Sequence, residues 1–556
     1  MNENNPRLKS AGRRLPVLLA LCTLILTAVI FLPALAQDTP DAPAGDPSPA
    51  SVGAAASDPD FNTIDDPLNG EYELFTVDDL LIMRSKAVNN NTTSEALNYI
   101  LETENQSISS QSVMDADNPA CSLTSDRQPQ RTRIGRFFDL PYDVIVTLVP
   151  KGPYGSGGEC TATTNMALHI QSTKDTSNTP TPFTMSAAQT AVAMDDFNQD
   201  GFEDLFIMSD SEMLVATAAN LANKNDGMRF GPATSISPPL AARSDPATGD
   251  FNNDGLIDVA WIDNAYYVQF ATVCPGAITG TVCEGRSALD IVLNPLQAGS
   301  TNIWAPSAPS NDCLFYDSSD VALAGGDYTG NGGAGLVTFS KVYLSQFNCA
   351  YYASWYEFNP DFTLDGGTLK GRIQLTDERN LKSINAYVES AALDWGFGGP
   401  EQAVIALGGI DGPENYTESV YVVSMTGGTM AQVSKTTDSN IWCGNNDFVC
   451  PWINGLAIGL FEDVSDSQST DINLNPNIAT LRNDGVVTIY SVNNPPSDFT
   501  PAIVSQTKLE SGLGLEPRTT QTSGFTWLVA GDLQGRSVRL GSPSIVRVSS
   551  HSQPSV

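Results

Sequence analysis

The sequence predicts an all-β fold assembled from repeated units of about four short strands each, and three observations carry that prediction. A chain of 556 residues is too long for one ordinary compact core unless it forms a barrel or an array of units. From about Arg131 onward, short apolar runs such as Val144-Ile145-Val146-Thr147-Leu148-Val149 are bounded by Pro and Gly, which is strand and turn chemistry. An aspartate-rich loop recurs along the same region, at Asp196 and again at Asp250.

The first element is an export signal. Arg7, Lys9, Arg13 and Arg14 precede an apolar run from Leu15 to Leu32, and Ala34-Leu35-Ala36 stands before Gln37. That is the charged, apolar, small-residue order of a secretory signal over residues 1–36 cut after Ala36. An uncleaved membrane anchor is the alternative, because the run is just long enough to span a bilayer. The expected location is therefore outside the cell or at its surface. Residues 37–60 hold Pro40, Pro43, Pro47, Pro49 and Pro59 among Ala, Asp and Ser, a composition that buries no core and reads as a linker.

Residues 61–130 are expected to form a small helical lead-in. Thr76-Val77-Asp78-Asp79 precedes Leu80, Leu81 and Met83, and Thr92-Thr93-Ser94-Glu95 precedes Leu97, Ile100 and Leu101. Both have the spacing of a capping box followed by apolar residues at helical intervals.

Composition narrows the chemistry. With 28 Lys plus Arg against 63 Asp plus Glu the net charge is -35, which disfavours polyanionic partners such as nucleic acid and anionic membrane surfaces. Hydrophobic residues at 41% against 16% charged indicate that the bulk of the chain folds. The two histidines, His169 and His551, leave little material for imidazole catalysis or histidine-based zinc sites. Beyond Cys22 in the leader, Cys121, Cys160, Cys274, Cys283, Cys313, Cys349, Cys443 and Cys450 make an even set, which in an exported chain reads as disulfides. The set admits about 105 pairings, and nearest neighbours such as 274 with 283 and 443 with 450 are favoured because they close short loops.

The repeat occupies residues 131–556. Asp196-Phe197-Asn198-Gln199-Asp200-Gly201-Phe202-Glu203-Asp204 and Asp250-Phe251-Asn252-Asn253-Asp254-Gly255-Leu256-Ile257-Asp258 share the order D-F-N-x-D-G-x-x-D, each followed by an apolar run. Worn copies follow at Asp327-Tyr328-Thr329-Gly330-Asn331-Gly332, at Asp394 and at Asp532. Units of roughly 50 to 75 residues with four strands suit a β-propeller of six or seven blades, since one blade cannot bury both faces alone. The pattern, with its later Phe230-Gly231 element, resembles the FG-GAP or VCBS repeat family. The C-terminal run Trp527-Leu528-Val529-Ala530-Gly531 is followed by too few strands for a complete blade. The missing strands are expected from Asp143 to Gln171, unless the chain is shorter than the proteins it resembles.

Oxygen ligands at positions 1, 3 and 5, Gly at 6, a carbonyl at 7 and an acid at 9 form the front of a calcium loop. In the first copy these are Asp196, Asn198, Asp200, the Phe202 carbonyl and Asp204; in the second, Asp250, Asn252, Asp254, the Leu256 carbonyl and Asp258. Ile207 and Trp261 stand where an EF-hand has its Glu, which excludes that motif. A weaker metal site is expected at Asp327, Thr329 and Asn331, where Gly335 replaces the final acid, and the loops at Asp394 and Asp532 read as turns only. Ca2+ is the expected cofactor because three carboxylates so close together repel one another unless a cation neutralises them. The competing reading is an Asx-turn whose aspartates bond backbone amides.

No catalytic residue is assigned. There is no G-x-S-x-G, His169 sits in an apolar strand pattern, and the even spacing of the aspartates suits ligation better than acid and base work. Tyr351, Tyr352, Trp355 and Tyr356 are candidate ligand contacts, since exposed aromatics stack on sugars or anchor protein partners, with packing between blades as the plainer alternative. The resemblance implies a non-enzymatic extracellular or cell-surface module for binding or adhesion to protein or carbohydrate. The alternatives are a scaffold domain of a secreted lyase or hydrolase, and a structural component of the envelope.

Overall fold

Strands such as Asp204–Met208 are apolar at every position after the first, and the fold explains why: both of their faces are covered. Leu205 and Ile207 pack toward the preceding sheet, whereas Phe206 and Met208, on the opposite side of the pleat, pack toward the following one. In the computed structural model the described residues cover most of 131–508, with the larger breaks at 151–164, 295–320, 394–399, 443–452, 462–475 and 493–500. Strands at 74–76, 79–88, 93–102, 107–112, 524–531 and 537–539 are also described.

Among the described residues, seven antiparallel sheets of four or five strands follow one another. Sheet I orders Gly524–Gly531, Asp79–Val88, Thr93–Glu102 and Ser107–Ser112. Sheet II is Arg131–Gly135, Val144–Pro150, Asn165–Gln171 and Thr179–Thr184. Sheet III is Ala191–Asp195, Asp204–Met208, Glu212–Ala218 and Met228–Phe230, with Thr234–Ser235 added to its third strand. Sheet IV is Ala247–Gly249, Asp258–Ile262, Val268–Val273 and Ile291–Asn294. Sheet V is Val321–Gly326, Gly335–Ser345, Asn348–Tyr356 and Gly371–Asp377. Sheet VI is Lys382–Ala391, Gln402–Asp411, Asn415–Ser424 and Ala431–Trp442. Sheet VII is Ile453–Gly459, Asn477–Arg482, Val486–Val492 and Pro501–Lys508. A two-stranded ribbon pairs Leu74–Thr76 with Ser537–Arg539.

The first strand of each sheet touches the first strand of the next, and that of sheet VII touches that of sheet I, so the contacts run in a cycle. Hydrophobic cores lie between successive sheets: II with III, III with IV, IV with V, V with VI, and VI with VII. Leu528 of sheet I joins the core on the far side of sheet VII. Each large side chain buried this way contributes about 1.5–3 kcal/mol, so stability is spread over many interfaces. This is a β-propeller-like all-β fold. Among the described residues no helix is long and apolar enough to cross a membrane.

Two expectations change here. Where the two helices were expected, Asp79–Val88 and Thr93–Glu102 are paired strands of sheet I. The capping-box spacing is a local signal, and a helix of three turns is marginal by itself. Pairing with Gly524–Gly531 at the other end of the chain overrides it. The strands that complete this C-terminal sheet therefore come from 79–112, whereas Val144–Pro150 and Asn165–Gln171 belong to the separate sheet II. The signal segment 1–36, the linker 37–60 and the loops at Asp394 and Asp532 lie outside the described residues.

Candidate functional site

Loop A (196–204) and loop B (250–258) connect the first and second strands of sheets III and IV. In each, the fourth residue takes a left-handed conformation, Gln199 at φ 59° and Asn253 at 57°, and so does the glycine two positions later, Gly201 at 87° and Gly255 at 81°. A glycine carries no Cβ penalty there, which accounts for the D-G step that loops A and B share.

The side chains at positions 1, 3 and 5 make the same bonds within both loops. Asp196 Oδ1 accepts the Asp200 amide at 3.0 Å and Oδ2 accepts the Gly201 amide at 2.9 Å. Asp250 accepts the Asp254 and Gly255 amides at 2.9 and 2.8 Å. The Asn198 carboxamide oxygen accepts from the Asp200 amide at 2.8 Å, and that of Asn252 from the Asp254 amide at 3.2 Å. Asp200 Oδ1 accepts the Phe202 amide at 3.0 Å and Asp254 Oδ1 the Leu256 amide at 2.9 Å. Both Asn Nδ2 groups donate to the following Asp Oδ2 at 2.9 Å. A third loop, C (327–335), keeps the frame where its sequence has worn. Asp327 accepts the Asn331 and Gly332 amides at 3.1 and 2.9 Å, Asn331 accepts the Gly333 amide at 2.9 Å, and Gly330 and Gly332 hold the left-handed positions. Thr329 makes no such described bond.

The last acid of each complete loop is the buried one. Asp204 accepts the Asn198 amide at 3.1 Å. Asp258 is fully enclosed, accepting the Phe251 amide at 3.2 Å and the Thr272 hydroxyl at 2.6 Å. Burial, assisted by the loop's other aspartates, pushes the Asp204 carboxyl up to about 8 and that of Asp258 well above the usual range. Asp196 and Asp250 are raised as well, again chiefly by burial.

Whether these residues suit a divalent cation is a question of donor chemistry. Among the described residues, no three or more His, Cys, Asp or Glu side chains are gathered so as to hold a metal as they stand. The carboxylates are instead engaged with backbone amides, the Asx-turn arrangement. Each carboxylate oxygen has two lone pairs, and one amide uses one of them. The set of carboxylate, carboxamide and carbonyl oxygens therefore fits a hard cation, which would also relieve the charge crowding that raises Asp204 and Asp258.

Two residues outside the expected ligand set tie the sheets together at these loops. Glu203 Oε2 accepts the Arg136 amide at 2.6 Å while the Glu203 amide donates to the Arg136 carbonyl at 3.0 Å, joining sheet III to sheet II. Glu401 repeats the exchange with Asp327 at 2.8 and 3.0 Å, joining sheet VI to sheet V. The only sequence cue was an acid just ahead of a second strand, which has no meaning until the neighbouring sheet is in place. Loops A and B also touch directly, Gln199 Nε2 donating to the Gly255 carbonyl at 3.2 Å.

The aromatic candidates resolve differently. Tyr351 and Trp355 are buried in the core between sheets V and VI, and Tyr356 in the core between IV and V. Alternate positions of a strand covered on both sides must both face protein, so these rings offer no free face, and the packing alternative holds for them. Tyr352 is half-buried, with the Arg372 guanidinium 5.7 Å from its ring centre and its hydroxyl bonded to Gln374 at 3.2 Å. Cys274 and Cys283 form a disulfide. Cys121, Cys160, Cys313, Cys443 and Cys450, and the Cys349 side chain, lie outside the described residues.

With the fold and loops in view, the class is a β-propeller-like repeat protein. More particularly, residues 196–261, which span loops A and B, match the model of the FG-GAP-like repeat. No curated protein sequence matches the chain. Among solved structures, an Agrocybe aegerita lectin titled for recognition of non-reducing terminal N-acetylglucosamine is 13% identical, with 82% of this chain and 96% of that one covered and a TM-score of 0.41. Saccharomyces cerevisiae Sqt1 is 11% identical over 70% and 79%, at 0.35. Drosophila Semaphorin 1b, extracellular domains 1-2, is 10% identical over 74% and 86%, at 0.30. At these identities and TM-scores none of the three says what this chain binds.

Proposed function

We propose that this chain is an exported seven-bladed β-propeller that binds calcium through loops A and B and serves, without catalysis, as an extracellular or cell-surface binding module for protein or carbohydrate. The observation that supports the ring is the cyclic contact of first strands, closed between sheets VII and I. The observation that supports the cation is that positions 1, 3 and 5 of loops A and B make equivalent bonds, each loop placing three Asp and the Asn of position 3 within nine residues. Asp196, Asn198, Asp200, Asp204 and the Phe202 carbonyl would hold one ion, and Asp250, Asn252, Asp254, Asp258 and the Leu256 carbonyl another. Calcium would supply structural charge neutralisation only. Loop C, with Asp327 as its one acid among the first five positions, is a weaker third site.

A cation that binds only the folded state adds about 2.7 kcal/mol per site at 100 times its Kd. Chelation should lower the melting temperature. Asp200→Ala and Asp254→Ala should each remove part of the calcium response, and together nearly all of it. A melting curve indifferent to chelator in the wild-type protein defeats the cation assignment. Glycan arrays and pull-downs with the mature chain test the binding role, and a hydrolysed or eliminated glycan product in place of retention overturns its non-catalytic part.

A further inference from the structure

Loops A and B share the bonds made by positions 1, 3 and 5, yet the residue at position 7 sits in different surroundings in the two. In loop A, Phe202 is half-buried, its ring beneath the Arg136 guanidinium at 5.4 Å. In loop B, Leu256 is buried in a small apolar cluster with Cys274 and Cys283, and Ile278 and Val292 pack against it. Those cysteines belong to an excursion that sheet III lacks: after Val268–Val273 the chain runs through 274–290 before returning as Ile291–Asn294. The excursion is closed at its base by the Leu289 amide to the Cys274 carbonyl, 2.7 Å, and the Cys274 amide to the Asp290 carbonyl, 2.9 Å. Its third closure is the Cys274–Cys283 bond, both cysteines being fully enclosed. The Val273 amide also donates to the Ile257 carbonyl at 3.3 Å, next to Leu256.

We infer that the Cys274–Cys283 disulfide positions loop B. It holds the 274–290 excursion against Leu256, whose amide is bonded to Asp254, so the geometry of the loop depends on a covalent brace that loop A does without. Both cysteines lie outside the D-F-N-x-D-G-x-x-D motif, and Leu256 acts through its side chain in addition to any role of its carbonyl. The consequence for cation affinity rests on the calcium reading above; the positioning itself does not.

The test uses the full mature chain and compares the wild type with Cys274→Ser/Cys283→Ser and, because that pair can cost folding, with Leu256→Ala, which keeps the disulfide. Hydrogen exchange is followed at the Asp254 and Gly255 amides of loop B and the Asp200 and Gly201 amides of loop A in metal-free protein. Both variants should speed exchange about tenfold or more in loop B and leave loop A unchanged. Equal change in both loops marks a general loss of stability and overturns the inference, as does no change in either. Calcium titration in an Asp200→Ala background, which isolates loop B, should show a Kd raised about tenfold by Leu256→Ala. If the amides respond but the wild type takes up no calcium, the positioning stands and the cation reading falls.

Discussion

Asp258 and Thr272 face each other across the second and third strands of sheet IV, and the threonine hydroxyl donates a 2.6 Å hydrogen bond to the enclosed carboxyl. The hydroxyl in turn accepts from Asn294 Nδ2 at 2.8 Å, so three strands are stitched through one buried acid. Thr272→Val keeps the shape and removes the donor, leaving a buried acceptor unsatisfied. It should cost about 1–3 kcal/mol, read as a lower urea midpoint at unchanged slope, while Thr272→Ser should recover most of the loss. Equal midpoints for Val and wild type would show that Asp258 finds another donor.

Glu203 exchanges two hydrogen bonds with the Arg136 backbone and so couples sheet III to sheet II. Glu203→Gln keeps an acceptor oxygen, whereas Glu203→Ala leaves the Arg136 amide without one. The alanine variant should therefore be less stable than the glutamine variant by about 1–3 kcal/mol. Thermal unfolding at fixed calcium separates the two, and identical curves would demote the pair to a passive contact.

Glu389, on the first strand of sheet VI, has its carboxyl pushed up to about 8 by burial, with Asp245 adding to the shift and Arg133 opposing it. A raised acid holds its proton in the folded state while the unfolded chain has released it, so stability falls as pH rises from about 4.5 to about 8. Glu389→Gln, which stays neutral, should match the wild type near pH 5 and melt a few degrees higher near pH 8. A parallel pH dependence for both proteins would mean that Glu389 ionises normally.

Deleting residues 1–60 should leave folding intact, because the described sheets begin beyond it. Deleting residues 1–112 removes three strands of sheet I and strands the edge of Gly524–Gly531, which should aggregate. Equal solubility of the two truncations on gel filtration would show that sheet VII caps itself.

The aspartate loops were legible because their determinants are local. Asp at 1, Asn at 3 and Asp at 5 accept from amides no more than five residues away, the Gly at 6 donating one of them, and the observed geometry of loops A and B follows the spacing directly. The short Cys274 to Cys283 closure was legible for the same reason. Where the pattern wore thin, as in loop C, the backbone frame survived better than the side chains that announce it.

What the sequence determined by itself was therefore the repeat, its all-β character and the turn chemistry of each loop, since continuous apolar runs and Asp-Gly steps act over a few residues. Only the tertiary structure decided that Asp79–Val88, Thr93–Glu102 and Ser107–Ser112 are strands, that Tyr351, Trp355 and Tyr356 are core, that Glu203 and Glu401 join sheets, and that Leu256 rests on a disulfide. Each of these depends on a partner brought close by the cyclic stacking of sheets. A strand's second face acquires a meaning only when the neighbouring sheet covers it, and no local spacing records which sheet that will be.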